Sequence, residues 1–276
     1  MRSYQGISLV ELLIASSMTL TLLVLVASGL RSGAETVQVF TTSADLIEDT
    51  RNAGNIIADS LSRAAFIFPP GTQLSLGAGY TTQNPRGSGG LWTVGQDAII
   101  ALIEAPSSHD LRTGSCSDSQ RDRCFFFVAY YPVLRSVVTQ RASNTAHPGN
   151  NPYNDEAWVL YEYRQRLNAQ RLPSNEAVVT NYSGNSGNIL ADFIAADSFT
   201  VTFTRCRERS ADGISNPRSV ACDNNNAAVY SESVEAGSFS LQGRMQQRRG
   251  ATQTPRYDFS ITPRGNLFFR GSPLFN

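Results

Sequence analysis

From residue 7 to residue 30 the chain carries one charged position, Glu11, in a run of apolar and small residues that ends at Arg31. As a helix rising about 1.5 Å per residue, that run spans the roughly 30 Å hydrocarbon core of a bilayer. Beyond it the apolar positions change period without stopping. Val37, Phe40, Ala44 and Ile47 recur at steps of three and four, and Ile57, Leu61 and Ala65 resume the stripe, with Glu35, Glu48, Asp49, Asp59 and Arg63 between them. Arg51 and Gly54 interrupt the stripe. Glycine inside a helix costs about 1 kcal/mol against alanine, so Gly54 marks a place for a bend or break. The pattern predicts one helix from about residue 7 to about residue 65, ending before Pro69-Pro70-Gly71. That exceeds an ordinary globular helix, and suits one half in lipid and the other packed on a domain. A coiled-coil dimer is the alternative for a stripe of this kind.

Residues 71–95 are rich in Gly, Thr, Gln, Ser and Asn and read as a loop. Apolar runs of strand length follow at 98–103, 125–134, 157–163, 199–203, 238–242, 257–261 and 267–269. They are rich in Val, Ile, Phe and Tyr and are separated by Pro, Gly and Asn clusters. In the fourth, Phe199, Val201 and Phe203 share one face while Thr200, Thr202 and Thr204 share the other. No helical pattern of comparable length separates these runs, which favours an antiparallel sheet over βαβ units. The expected class is α+β: a long N-terminal helix, one half transmembrane and one half amphipathic, packed on an antiparallel β-sheet head with loop insertions.

Composition adds mostly exclusions. The 23 basic and 23 acidic residues balance to zero, so the chain as a whole offers no attraction to nucleic acid or anionic lipid. Every basic residue is an arginine, which rules out a Walker A loop, a lysine Schiff base and a Ser-x-x-Lys nucleophile. Arg2 with the amino terminus balances Arg31 across the apolar run, so charge does not fix its orientation. A secretory signal peptide is the plain reading of such a run, and Ala27-Ser28-Gly29 offers a small-residue cleavage site after the apolar core. Glu11 argues against it. A carboxylate there costs about 2.5–3.5 kcal/mol on insertion scales, and an intramembrane acid is by default functional.

The stretch Gly6-Ile7-Ser8-Leu9-Val10-Glu11-Leu12-Leu13-Ile14-Ala15 resembles the amino terminus of type IV prepilins and type II secretion pseudopilins. That resemblance implies cleavage after Gly6 by a prepilin peptidase, methylation of the new amino terminus at Ile7, and a role in assembly for Glu11. It divides the chain into a leader (1–6), a transmembrane or filament-core helix half (7–30), an amphipathic helix half (31–66) and a β-rich head (67–276). The chain departs from the family where Phe usually stands at Ile7, and in having only Ser28 and Gly29 where a helix-loosening Pro is frequent. Residues 189–203 look like the part of PilW-like minor pilins and J-type pseudopilins in which a leucine-rich turn leads into an amphipathic strand. The segments 257–261 and 267–270 are similar to their closing strands. The resemblance implies a structural minor pilin, no enzyme and no cofactor. It would be single-pass in the inner membrane with its head in the periplasm, then in a pilus at the cell surface. Its partners would be the peptidase, other major and minor pilins and the inner-membrane assembly platform. A type II secretion pseudopilin, or a subunit that binds DNA or a surface, are the alternatives.

Four cysteines fall as two local pairs, Cys116 with Cys124 and Cys206 with Cys222; three pairings exist, and sequence does not choose among them. Zinc with His109 and His147 is the competing reading. The spacings do not suit metal knuckles, and an exported head favours disulfides. His109 beside Asp110 is no base with its orienter, because sequence neighbours on a strand point apart. No Gly-x-Ser-x-Gly, His-Glu-x-x-His or dinucleotide glycine pattern occurs. The stretch Asp223-Asn224-Asn225-Asn226 lacks the glycine and distal glutamate of a calcium loop, so no metal is expected. Arg244, Arg248, Arg249 and Arg256, with Tyr257 nearby, form a basic cluster of the sort that grips single-stranded DNA; a solvated loop or subunit contact is its plainer reading.

Overall fold

The computed structural model describes residues 8–87, 89–106, 124–142, 147–167, 179–182, 184, 186–208, 218–223, 231–247 and 250–261. The strand expected at 267–269, the pair His109 and Asp110, and Asn224 to Asn226 lie outside them. The chain has one long N-terminal apolar helix and an antiparallel β region, an α+β architecture. Helix α1 runs Leu9–Ser62 without interruption. Two compact units divide at Asp45 and Leu46.

In the first unit the apolar side chains of α1 are exposed, Leu9, Leu20 and Leu25 among them. Its hydroxyls are nonetheless satisfied locally. Ser16, Ser17, Thr19, Thr21 and Ser28 each donate to a carbonyl three or four residues earlier. That back-bonding lets polar side chains sit in apolar surroundings at little cost.

In the second unit the buried face of α1 is Leu46, Thr50, Ala53, Gly54, Ile57, Ser60 and Leu61. Within this unit the expected stripe has the right members at Ile57 and Leu61, while before them Leu46 is buried and Ile47 exposed. Gly54 does not break the helix. A Cβ there would stand 2.2 Å from the ring of Phe259, so the glycine gives that ring its place against the helix. Thr50 enters the buried face because its hydroxyl donates to the Leu46 carbonyl at 2.7 Å. The helix also stops short of the expected residue 65, since Ala64–Ile67 form strand β1.

Strands β1, β4 (Ile100–Glu104), β5 (Phe125–Leu134), β6 (Trp158–Leu167) and β8 (Asn188–Ile194) make a five-stranded sheet in the order β1-β4-β5-β6-β8. Every neighbouring pair is antiparallel, and β5 and β6 stay in register from Phe125↔Leu167 to Leu134↔Trp158. Both faces are covered, which is why β4 reads as a continuous apolar run. One face meets the end of α1 through Ser60 and Glu104. The other carries Phe127, Tyr131, Tyr161 and Tyr163 beneath a small sheet of β3 (Leu91–Thr93), β2 (Gln73–Ser75) and β7 (Val179–Asn181). Across that boundary Tyr182 stacks on Phe127 at 3.5 Å between ring centroids, and Trp92 meets Tyr131 at 4.9 Å.

The stretch 71–95, expected to be loop, thus supplies two strands and a 3-10 turn at Tyr80–Thr82. Leu74, Leu76, Trp92 and Val94 alternate into the core, a signal masked by the surrounding glycines. Of these, Gly90 lies so close to the Gly77 carbonyl that a Cβ would overlap it at 1.7 Å. The segment after residue 188, expected as a turn, is strand β8.

A four-stranded antiparallel sheet holds β9 (Thr200–Glu208), β10 (Arg218–Ala221), β11 (Ser231–Leu241) and β14 (Tyr257–Ile261) in the order β10-β9-β11-β14. The head is therefore not one sheet, and its β2–β7 pair is parallel. Phe199 and Phe203 are buried and Thr200, Thr202 and Thr204 exposed, as the alternation requires. A hairpin of β12 (Arg244–Gln247) and β13 (Gly250–Gln253) and a short helix α2 (Arg135–Arg141) complete the elements. Cys206 on β9 is bonded to Cys222, just past β10. Cys124 is also disulfide-bonded; Cys116 lies outside the described residues. Closing a loop of about 15 residues is worth about 3 kcal/mol in the chain-entropy model. Replacing Cys206 and Cys222 together with Ser is accordingly expected to lower unfolding free energy by about that amount, read as a shift in urea midpoint; an unchanged midpoint contradicts it.

Candidate functional site

The first candidate is the start of α1. Ser8 precedes the helix, and its hydroxyl accepts from the Val10 N–H at 3.4 Å. The Glu11 carboxylate reaches back to accept from the Ser8 N–H at 3.2 Å. Together these form a capping box, in which two backbone donors left over at the helix start are satisfied reciprocally. The signal was present in the sequence as Ser8-x-x-Glu11, a spacing that the reading of Glu11 alone passes over. The helix dipole adds a favourable term for an anion in the first turn, of about 0.3–1 kcal/mol. Gly6 and Ile7 lie outside the described residues. Glu11 is thus a carboxylate directed at the chain immediately before the helix, with only apolar and hydroxyl side chains for the next nineteen positions, up to Arg31. Among the described residues α1 is one helix long and apolar enough to cross a membrane, a test that signal sequences also pass.

A second polar centre lies where α1 ends. Glu104, buried in β4, accepts from Ser60 at 2.5 Å, from Arg63 at 3.2 Å and from Arg164 at 2.6 Å. Burial works to lower the Arg63 pKa, but the hydrogen bond and charge of Glu104 more than offset it and hold the guanidinium ionised. Arg164 also lies over the Phe126 ring at 4.6 Å. Donors from α1, from the residue just after it and from β6 thus converge on one carboxylate of β4, so this is a fastening of helix to sheet.

The third is Arg135, at the β5–α2 junction and fully buried. Its Nε donates to both oxygens of Asp192 at 3.1 and 3.2 Å. Its terminal nitrogens donate to the carbonyls of Pro148, Gly149 and Asn151, and the guanidinium lies 4.8 Å from the Phe193 ring centroid. Asp192 in turn accepts from the Phe193 N–H, whose residue sits at φ 56°. Burial pushes the Asp192 pKa up against the opposing pull of Arg135. Nothing in the sequence marks Arg135 or Asp192: their pairing spans 57 residues.

None of these centres joins a nucleophile to a base. His147 is engaged with the backbone at both ring nitrogens, and no cluster of ligands for a metal ion occurs among the described residues. Tyr131, Tyr161 and Tyr182 hold buried hydroxyls without hydrogen-bond partners among the described residues, and burial raises the pKa of all three. Of the basic cluster, Arg244 is exposed at the start of β12, whereas Arg256 is spent within its own sheet on Thr200, Ser240 and Asp258. Arg248 and Arg249 lie outside the described residues. Compared with known proteins, the chain matches no family model, no curated protein and no solved structure.

Proposed function

We propose that this chain is a structural minor pilin, processed after Gly6, held by its apolar helix in the inner membrane with the head in the periplasm, and then incorporated into a type IV pilus or used to prime its assembly. The observation that carries the reading is the placement of Glu11. It is the one charge in the apolar stretch, and its carboxylate is turned toward Ser8, next to the residue that becomes the amino terminus on cleavage. A disulfide-bonded β head on a long helix suits export to an oxidising compartment. The same features serve a type II secretion pseudopilin, the close alternative.

Processing is the direct test. Amino-terminal mass spectrometry of protein taken from cells is expected to find a chain that begins at methylated Ile7. Gly6→Ala is expected to slow that cleavage, because a Cβ obstructs access to the backbone at the cut. A mature chain that begins after Ala27-Ser28-Gly29 identifies a secretory signal peptide and overturns the reading.

A further inference from the structure

Strand β9 breaks its own alternation at Thr204. Phe203 lies opposite Gly237 and Arg205 opposite Ala236, so two steps along β9 meet one step along β11. Such a bulge re-aims side chains that would otherwise point to opposite faces. Phe203 and Cys206 on either side are buried, while Thr204 and Arg205 are both exposed. On the other flank β10 sets small residues beside them, with Ala221 opposite Arg205 and Ser219 opposite Arg207. The result is a cavity of about 360 Å³ lined by Thr204, Arg205, Ser219, Val220 and Ala221. That falls in the range of small-molecule sites, about 300–1,000 Å³. Both walls are fixed: β11 holds the bulge through its ladder, and the Cys206–Cys222 disulfide holds the end of β10 next to Ala221.

We infer that this pocket is a binding site for a carboxylate ligand of about amino-acid or monosaccharide size. Arg205 is the charged group of the lining, and among the described residues it has no hydrogen-bond or ion-pair partner. Arg207, two residues on, is by contrast set 3.5 Å from Glu235. A guanidinium presents a planar fork of N–H donors that matches the two oxygens of a carboxylate. The hydroxyls of Thr204 and Ser219 supply further donors, and Val220 and Ala221 offer apolar surface to the carbon body of the ligand. One unpaired cation suits a monoanion. A phosphate monoester, at about −1.5 to −2 near pH 7, brings more charge than the lining balances. The site does not depend on processing at Gly6.

The test is saturation-transfer NMR on the full-length protein in detergent micelles. Galacturonate and N-acetylglutamate α-amide are the probes, and galactose and N-acetylglutamine α-amide their uncharged counterparts. At least one acid is expected to saturate at about millimolar concentration, and the uncharged counterparts to bind about tenfold more weakly or not at all. Arg205→Gln, an exposed change expected to leave the urea midpoint in place, should weaken binding about tenfold or more, the scale of one hydrogen bond to a charged group. Ala221→Leu keeps the arginine but fills the cavity, and should abolish binding. Arg244→Gln removes an exposed arginine outside the pocket and should leave binding unchanged. A response to the sugar acid alone, or to the amino acid alone, names the source of the carboxylate and supports the site. Binding of neither acid, equal binding of the uncharged counterparts, unchanged binding in Arg205→Gln or Ala221→Leu, or equal losses in Arg205→Gln and Arg244→Gln each overturns it.

Discussion

Glu11→Val is expected to remain in the membrane, be cleaved after Gly6, and be missing from assembled pili. In the minor pilin proposed above, cleavage gives Ile7 an amine, and a subunit that enters the apolar interior of a filament carries that charge out of water. Opposite charges about 4 Å apart attract far more strongly there than in solvent, although desolvation takes back much of the gain. The greater penalty falls on an amine left alone. Removing one member of a buried pair costs about 3–5 kcal/mol, a depletion of about a hundredfold or more. The valine also removes the carboxylate's own cost in lipid, so insertion should be eased.

Glu11→Gln separates the two roles open to this side chain. Glutamine retains the bond to the Ser8 N–H, since it serves in a capping box as glutamate does, but it lacks the charge. Quantifying each variant in membrane and sheared-filament fractions decides between them. Exclusion of both variants from filaments assigns the role to the charge. Normal incorporation of Gln with loss of Val assigns it to the cap, and normal incorporation of both rejects any role in assembly. Loss of Val from membrane and filament alike marks a folding defect.

Arg135→Met is expected to be the most destabilising single change in the head. The methionine stem fills much the same space but leaves Asp192 without its guanidinium and the carbonyls of Pro148, Gly149 and Asn151 without those donors. Breaking a buried pair from one side costs about 3–5 kcal/mol, a large share of the 5–15 kcal/mol that holds a typical domain folded. Urea denaturation of the variant beside the wild type measures it. A loss under about 1 kcal/mol shows that water replaces the guanidinium at little cost and removes the fastening role assigned to it.

Strands whose residues are dense in aromatic and β-branched types were legible in the sequence: β5 at Phe125–Leu134 and β14 at Tyr257–Ile261 fall where their apolar runs do. The phase of the α1 stripe was not. Leu46 is buried where Ile47 was expected, and the face that enters the head includes Thr50, Gly54 and Ser60, three residues with no hydrophobic signature. Each is admitted for a reason that needs coordinates: a hydroxyl that bonds its own helix, a missing Cβ beneath Phe259, and a hydroxyl placed on Glu104. Arg135 illustrates the wider limit. A charge after a strand reads as solvent-exposed until the partner that neutralises it is found elsewhere in the chain. At the helix start, by contrast, the relevant contacts span three residues, so Ser8-x-x-Glu11 was within reach of pattern alone.

The parallel pairing of β2 with β7 has a consequence in time. Gln73 lies opposite Val179, and Gly187 closes on Thr81 in the same region, so the lid over the aromatic face is made from distant parts of the chain. Contacts of such long sequence separation must pay for loop closure before they return any burial, and they form slowly. Until β7 arrives, Phe127 lacks Tyr182, the ring that stacks on it. Closure of this lid is accordingly expected to be a late step of folding, set by the topology of the head and not by the strength of any one contact within it.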